Sequence, residues 1–174
     1  DSNVCIGTSA GGIDGDDFGD KNVFIGLSTG LAINSTYSDA NVFLGNLAGT
    51  AGQQSIANVL IGSDAGKTLT NSARNVAIGA FAGTGFGVTN TITENSIYIG
   101  QYARTSVTNA NNEIVIGSEA VGKGSNTALI GDDNITDIYM SEDVGATLHT
   151  GTVSGSATST GSFGAIQSAG NITP

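Results

Sequence analysis

The 174-residue chain has one cysteine, one proline, one methionine and no tryptophan, and only 5 of its residues are Lys or Arg. A lone Cys5 excludes an intrachain disulfide and a cysteine metal site. The five cations (Lys21, Lys67, Arg74, Arg104 and Lys123) are scattered among 15 carboxylates, giving a net charge of −10. Nucleic-acid or anionic-membrane binding needs clustered cations, and none are clustered here. No run approaches the ~18 apolar residues of a membrane-spanning helix. The charged fraction, 11%, is too low for the usual disordered chain, whose charge is high and hydrophobicity low. What the sequence has in excess is glycine, 27 residues, about twice ordinary usage. The chain opens on a repeat-like strand and not on Met, as expected for a fragment or processed piece of a longer protein.

The glycines close short aliphatic runs. Five copies read NVCIG, NVFIG, NVFLG, NVLIG and NVAIG, and three more read SIYIG, EIVIG and TALIG. They end on Gly7, Gly26, Gly45, Gly62, Gly79, Gly100, Gly117 and Gly131, with spacings of 19, 19, 17, 17, 21, 17 and 14. Self-similarity at this period marks a solenoid, in which each unit buries its apolar face on its neighbours. β-Branched residues at alternate positions, with no room for helices between copies, make the runs strands. The expected fold is all-β: a parallel β-solenoid of about eight N-V-x-I-G repeats over residues 1–134. Residues 135–174 form a Gly/Ser/Thr-rich extended linker or fibre-shaft segment, with Ile135–Met140 as one more strand at its start.

Two enzyme-like motifs dissolve into this repeat. Gly62-Ser63-Asp64-Ala65-Gly66-Lys67-Thr68 looks like a phosphate-binding loop, but only three residues separate its glycines where four are needed, and no helix follows. Gly7-Thr8-Ser9-Ala10-Gly11 fits a nucleophile elbow, yet the Ser9 column holds Leu47, Asp64 and Phe81 in later copies. The only histidine, His149, lies in the tail. Both motifs read as exit turns, and no cofactor and no catalytic residue are assigned.

Each strand has three apolar columns. The residues three and one before Gly, Val42 and Leu44 for example, share a face and are expected to form the coil's own core. The column between them, including Phe24, Phe43, Leu60, Tyr98 and Leu129, is then expected to point outward, where an apolar strip requires burial against other chains. Asn at the strand entrance suits a left-handed turn and amide stacking from rung to rung. Ala10, Ala48, Ala65, Ala82, Ala103 and Ala120, three after Gly, suit a crowded inside corner.

The N-V-x-I-G-x-x-A-G unit over about residues 3–134 resembles the head-domain repeats of trimeric autotransporter adhesins, which are left-handed parallel β-rolls that trimerise. It is also similar to runs in the tail fibres of bacterial viruses. It departs from the adhesin period of 14, so several turns must bulge into loops. The resemblance implies a homotrimeric, non-enzymatic fibre protein, on a virion tail appendage or another extracellular surface, that attaches to a host through a glycan or protein receptor. A bacterial surface adhesin head is the alternative, and a β-helical polysaccharide-degrading enzyme is a further one. Among the loops, Gly12–Lys21 gathers Asp14, Asp16, Asp17 and Asp20 as candidate calcium ligands, though it reads more plainly as a solvated acidic loop. The Thr84–Glu94 loop offers Phe86 to a glycan or to local packing. No nucleic-acid partner and no membrane insertion are expected.

Overall fold

A computed structural model describes residues 2–12, 19–33, 37–85, 87, 92–139 and 141. Strands follow one another as β1 (Val4–Ile6), β2 (Val23–Ile25), β3 (Val42–Leu44), β4 (Ser55–Ile56), β5 (Val59–Ile61), β6 (Ser72–Ala73), β7 (Val76–Ile78), β8 (Ile92–Glu94), β9 (Ile97–Ile99), β10 (Asn109–Asn111), β11 (Ile114–Ile116) and β12 (Ala128–Ile130). There is no helix among the described residues. The repeat strands form an eight-stranded sheet ordered β1-β2-β3-β5-β7-β9-β11-β12, and the two- and three-residue strands between them form a four-stranded sheet ordered β10-β8-β6-β4. Every pairing is parallel, so the chain is a β-solenoid of stacked coils.

Register aligns the copies column on column: Phe24 opposes Phe43, Phe43 opposes Leu60, Leu60 opposes Ala77, and Ala77 opposes Tyr98. The facing, however, is the reverse of the sequence expectation. Phe24, Phe43, Ala77, Tyr98 and Val115 are 0% exposed and form the coil's own core with Leu60; Leu129 packs against them, half-buried. The aliphatics on either side of this column face outward. Parity explains the reversal. The residue two before Gly shares its face with the Asn four before Gly, and Asn22, Asn41, Asn58 and Asn75 are buried. Ala48, Ala65, Ala82, Ala103 and Ala120 do line the inside corner.

The asparagines hold the corner between the two sheets. Each side-chain oxygen accepts the backbone N–H of the next asparagine, at 2.8 Å for Asn22 to Asn3 and 2.9 Å for Asn41 to Asn22. Each side-chain nitrogen donates to the carbonyl of the residue seven before the next repeat Gly: Asn22 to Ser38 at 2.7 Å, Asn41 to Ser55 at 2.6 Å, Asn58 to Ser72 at 2.8 Å and Asn75 to Thr93 at 2.7 Å. That column reads Gly19, Ser38, Ser55, Ser72, Thr93, Ala110 and Gly124, small and buried throughout. From there to the repeat Gly the spacing never changes, and all variation in period falls in the loops outside it.

The repeat glycine has a steric reason. Gly45 sits at φ 141°, and a Cβ there would run into the carbonyl of Gly62 in the next coil. Coils therefore stack backbone on backbone at this corner, which only Gly permits.

The chain divides into two units, Asp1–Thr136 and Asp137–Pro174, and all strands among the described residues lie in the first. Ile135 to Tyr139 carry no strand, contrary to expectation. Instead Ile135 packs over Gly131, behind a turn in which Asn134 donates its backbone N–H to Asp132 Oδ1 at 3.0 Å. In the second unit, Ile138 and Tyr139 are exposed.

Candidate assembly surface

With the middle column inside, the outer face of the eight-stranded sheet presents two aliphatic columns. The column three before Gly, from Val23 to Ile114, is half-buried, and Val4 at its start is exposed. The column one before Gly is more open: Ile6 is 58% exposed, Leu44 42% and Ile130 55%. Ile78, Ile99 and Ile116 lie between them and are also exposed. At ~4.8 Å per rung the strip is roughly 35 Å long. Soluble monomers seldom expose a contiguous apolar patch of that size, and such patches mark interaction sites.

Two backbone corners flank the strip. At the entrance corner, five before Gly, Lys21, Ala40, Ala57, Arg74, Asn95, Asn112 and Asn126 all adopt positive φ between 53 and 60°. At the exit corner, two after Gly, Ser9, Ser28, Leu47, Asp64, Phe81, Tyr102 and Glu119 do the same, between 51 and 60°. Such conformations cost a non-glycine residue of order 1 kcal/mol or more. Each corner regains hydrogen bonds to the coil below, as from Leu47 N to Leu27 O at 2.9 Å and from Asn112 N to Glu94 O at 3.0 Å. On the exit corner the Phe81 and Tyr102 rings stack with centroids 4.8 Å apart, and the Arg104 guanidinium lies 5.6 Å from the Tyr102 centroid. On the entrance corner Arg74 bonds Asn95 Oδ1 at 2.7 Å and Glu94 Oε2 at 3.2 Å.

The other sequence candidates fall elsewhere. Phe24, Phe43, Leu60 and Tyr98, expected at a subunit contact, are walled inside the coil, and Leu129 is half-buried at its last rung. Lys67 closes its own turn, its Nζ 2.6 Å from Asp64 Oδ1. Ser9 is an exposed corner residue, while His149 and Phe86 lie outside the described residues. So do Asp14, Asp16 and Asp17; the fourth calcium candidate, Asp20, is exposed, and its backbone N–H donates to Asp39 Oδ1 at 2.7 Å. No group of three His, Cys, Asp or Glu side chains gathers among the described residues.

One titratable node lies in the core, and the sequence did not single it out. Glu113 takes the place of Asn in the buried ladder, and its carboxylate accepts the Tyr98 hydroxyl at 2.9 Å and the Gly124 N–H at 2.7 Å. Burial, and then the negative Glu113 beside it, push the Tyr98 hydroxyl well above the ordinary phenol range. The Cys5 thiol is raised by burial, and Asp132 is lowered by hydrogen bonds from Asn134.

No helix among the described residues is long and apolar enough to cross a membrane. Comparison with known proteins returns no matching family model, no matching curated protein and no matching solved structure.

Proposed function

We infer that this chain is a non-enzymatic structural and adhesive fibre segment, a homotrimer whose subunits pack through the outer face of the eight-stranded sheet. The observation that supports this is the two-column aliphatic strip itself. A coil that fills its own core and still faces water with eight rungs of Val, Ile and Leu requires a cover. The repeat's resemblance to adhesin heads and to viral tail fibres directs the reading to a virion tail appendage that attaches to a host surface. A bacterial surface adhesin head fits the same coil. In either setting the receptor, a surface glycan or protein, meets the loops.

Labelled protein incubated with bacterial cells and their capsular polysaccharide tests the functional half. The expected result is retention on cells with no new reducing ends. Release of oligosaccharides would move the chain to the polysaccharide-degrading class.

A further inference from the structure

The outer face of the four-stranded sheet is lined by amides at its β8–β10 end. Asn109 and Asn111 flank buried Ala110 in β10, and Ile92 of β8 lies opposite Asn109. Asn95, Asn112 and Asn126 follow at the entrance corner of successive coils. All five asparagines are exposed, and Ile92 is 40% exposed. Positive φ accounts for asparagine at the corner. It does not account for Asn109 and Asn111, because asparagine is among the residues that strands disfavour. The amides also hold one another. Asn95 Nδ2 donates to Asn111 Oδ1 at 3.4 Å, Asn112 Nδ2 to Asn126 Oδ1 at 3.1 Å, and Arg74 Nε to Asn95 Oδ1 at 2.7 Å. A carboxamide carries two donors and an acceptor oxygen with two lone pairs. These bonds therefore orient the groups and leave the Asn109 amide, the Asn111 and Asn126 Nδ2 groups and the Asn112 Oδ1 for a ligand. Charge is sparse here. Glu94 is the one carboxylate at this end of the face among the described residues, and Arg74 pairs with it at 3.2 Å. Lys123, exposed, is the one further charge.

We propose that this amide-lined face binds a strand of uncharged polysaccharide. The proposal rests on the preceding reading of the chain as an adhesive segment, and it names the class of receptor. A sugar hydroxyl both donates and accepts, as a carboxamide does, so the two pair without leaving a charge unmatched. Ile92 offers an apolar contact to the C–H face of a sugar ring. Rungs repeat every ~4.8 Å, close to the length of one hexopyranose unit, so successive sugars meet equivalent rungs. A protein partner would call for aromatic, Met or Arg anchors at the centre of the contact. Ile92 is the one large apolar side chain exposed at this end of the face among the described residues. An acidic polysaccharide would meet Asp20 and Asp39, which occupy the Glu94 column at the first coils, on a chain of net charge −10.

The test uses the full chain and polysaccharide extracted from bacterial cells that retain it, separated by anion exchange into neutral and acidic fractions. Wild type is expected to bind the neutral fraction. The double variant Asn109→Ala, Asn111→Ala should lose at least tenfold in affinity with an unchanged unfolding midpoint. The control Asn46→Ala, Gln101→Ala removes two exposed amides elsewhere and should bind as wild type does. Equal binding by wild type and the Asn109, Asn111 variant overturns the proposal and leaves the adhesive reading standing. So does binding confined to the acidic fraction, or retention on cells that protease treatment of the cells abolishes. A wild-type chain that no cell retains overturns the adhesive reading, and this inference with it.

Discussion

The side-chain oxygen of Asn41 accepts two hydrogen bonds from Asn58, one from its backbone N–H at 3.0 Å and one from its Nδ2 at 3.2 Å. Asn58 in turn serves Asn75 in the same way, at 3.0 Å for each bond. This buried ladder determines which strand face is inside.

Replacing Asn58 with Ala strips an acceptor from both donors of Asn75 and a donor from the Ser72 carbonyl. Buried polar groups left without partners cost about 1–3 kcal/mol each. The expected loss is about 3 kcal/mol or more, seen as a lower unfolding midpoint in urea. Asn46→Ala, at an exposed position outside the ladder, is expected to stay within ~0.5 kcal/mol of wild type.

Thr93 gives a change of the opposite sign. Its Oγ1 is buried and has no hydrogen-bond partner among the described residues, because Ala110 occupies the next rung of that column. Thr93→Val removes the unsatisfied hydroxyl and keeps the shape, so stability is expected to hold or rise by about 1 kcal/mol. Ser72→Ala is expected to lower it, since Ser72 Oγ accepts the Thr93 N–H at 3.1 Å. Thermal unfolding of the two variants side by side reads both signs.

Much of the fold was legible because the repeat Gly, the Asn and the corner Ala recur at fixed offsets. The faces were not, because all three strand columns are apolar and hydrophobicity alone gives no parity. Two signals carried it. Buried Asn22 lies two residues from Phe24, so the pair shares a face. The middle column also varies in bulk from Ala77 to the opposed Tyr98, as a closed interior demands and a flat outer face does not. The second sheet was missed because its strands are two or three residues long and its inward column is Ser, Thr and Ala, with no hydrophobic period. Its signal was a small residue seven before each repeat Gly from Gly26 on.

Core placement of the middle column makes Phe43 a stability residue. Phe43→Ala is expected to cost about 3–5 kcal/mol, a core loss and not a loss of subunit contact. Phe24, whose ring centroid is 5.2 Å from that of Phe43, loses its partner in the same step. Loss of the strand signal in circular dichroism along with assembly, not a folded monomer, is the expected result.

Tyr98 predicts alkaline sensitivity. Its hydroxyl titrates above the ordinary value because of burial and then the Glu113 charge, so the folded state holds this proton more tightly than the unfolded chain. The stabilisation is complete below the unfolded value of ~10 and is lost as pH rises beyond it, by about 1.4 kcal/mol at pH 11. Tyr98→Phe is expected to be less stable at pH 7, because a buried carboxylate loses a donor, and to show a shallower decline between pH 9 and 11.

If the outer aliphatic strip is an interface between copies of this chain, the mass in solution is a multiple of the single-chain mass. Sedimentation equilibrium of the full chain at micromolar concentration is expected to give three times the 17.2 kDa chain mass. The paired substitution Leu44→Lys, Ile78→Lys, both on the outer face, is expected to give a folded species of single-chain mass with its strand signal intact. A wild-type protein that sediments as a soluble 17.2 kDa monomer, with the strip open to water, would show that no second copy covers it.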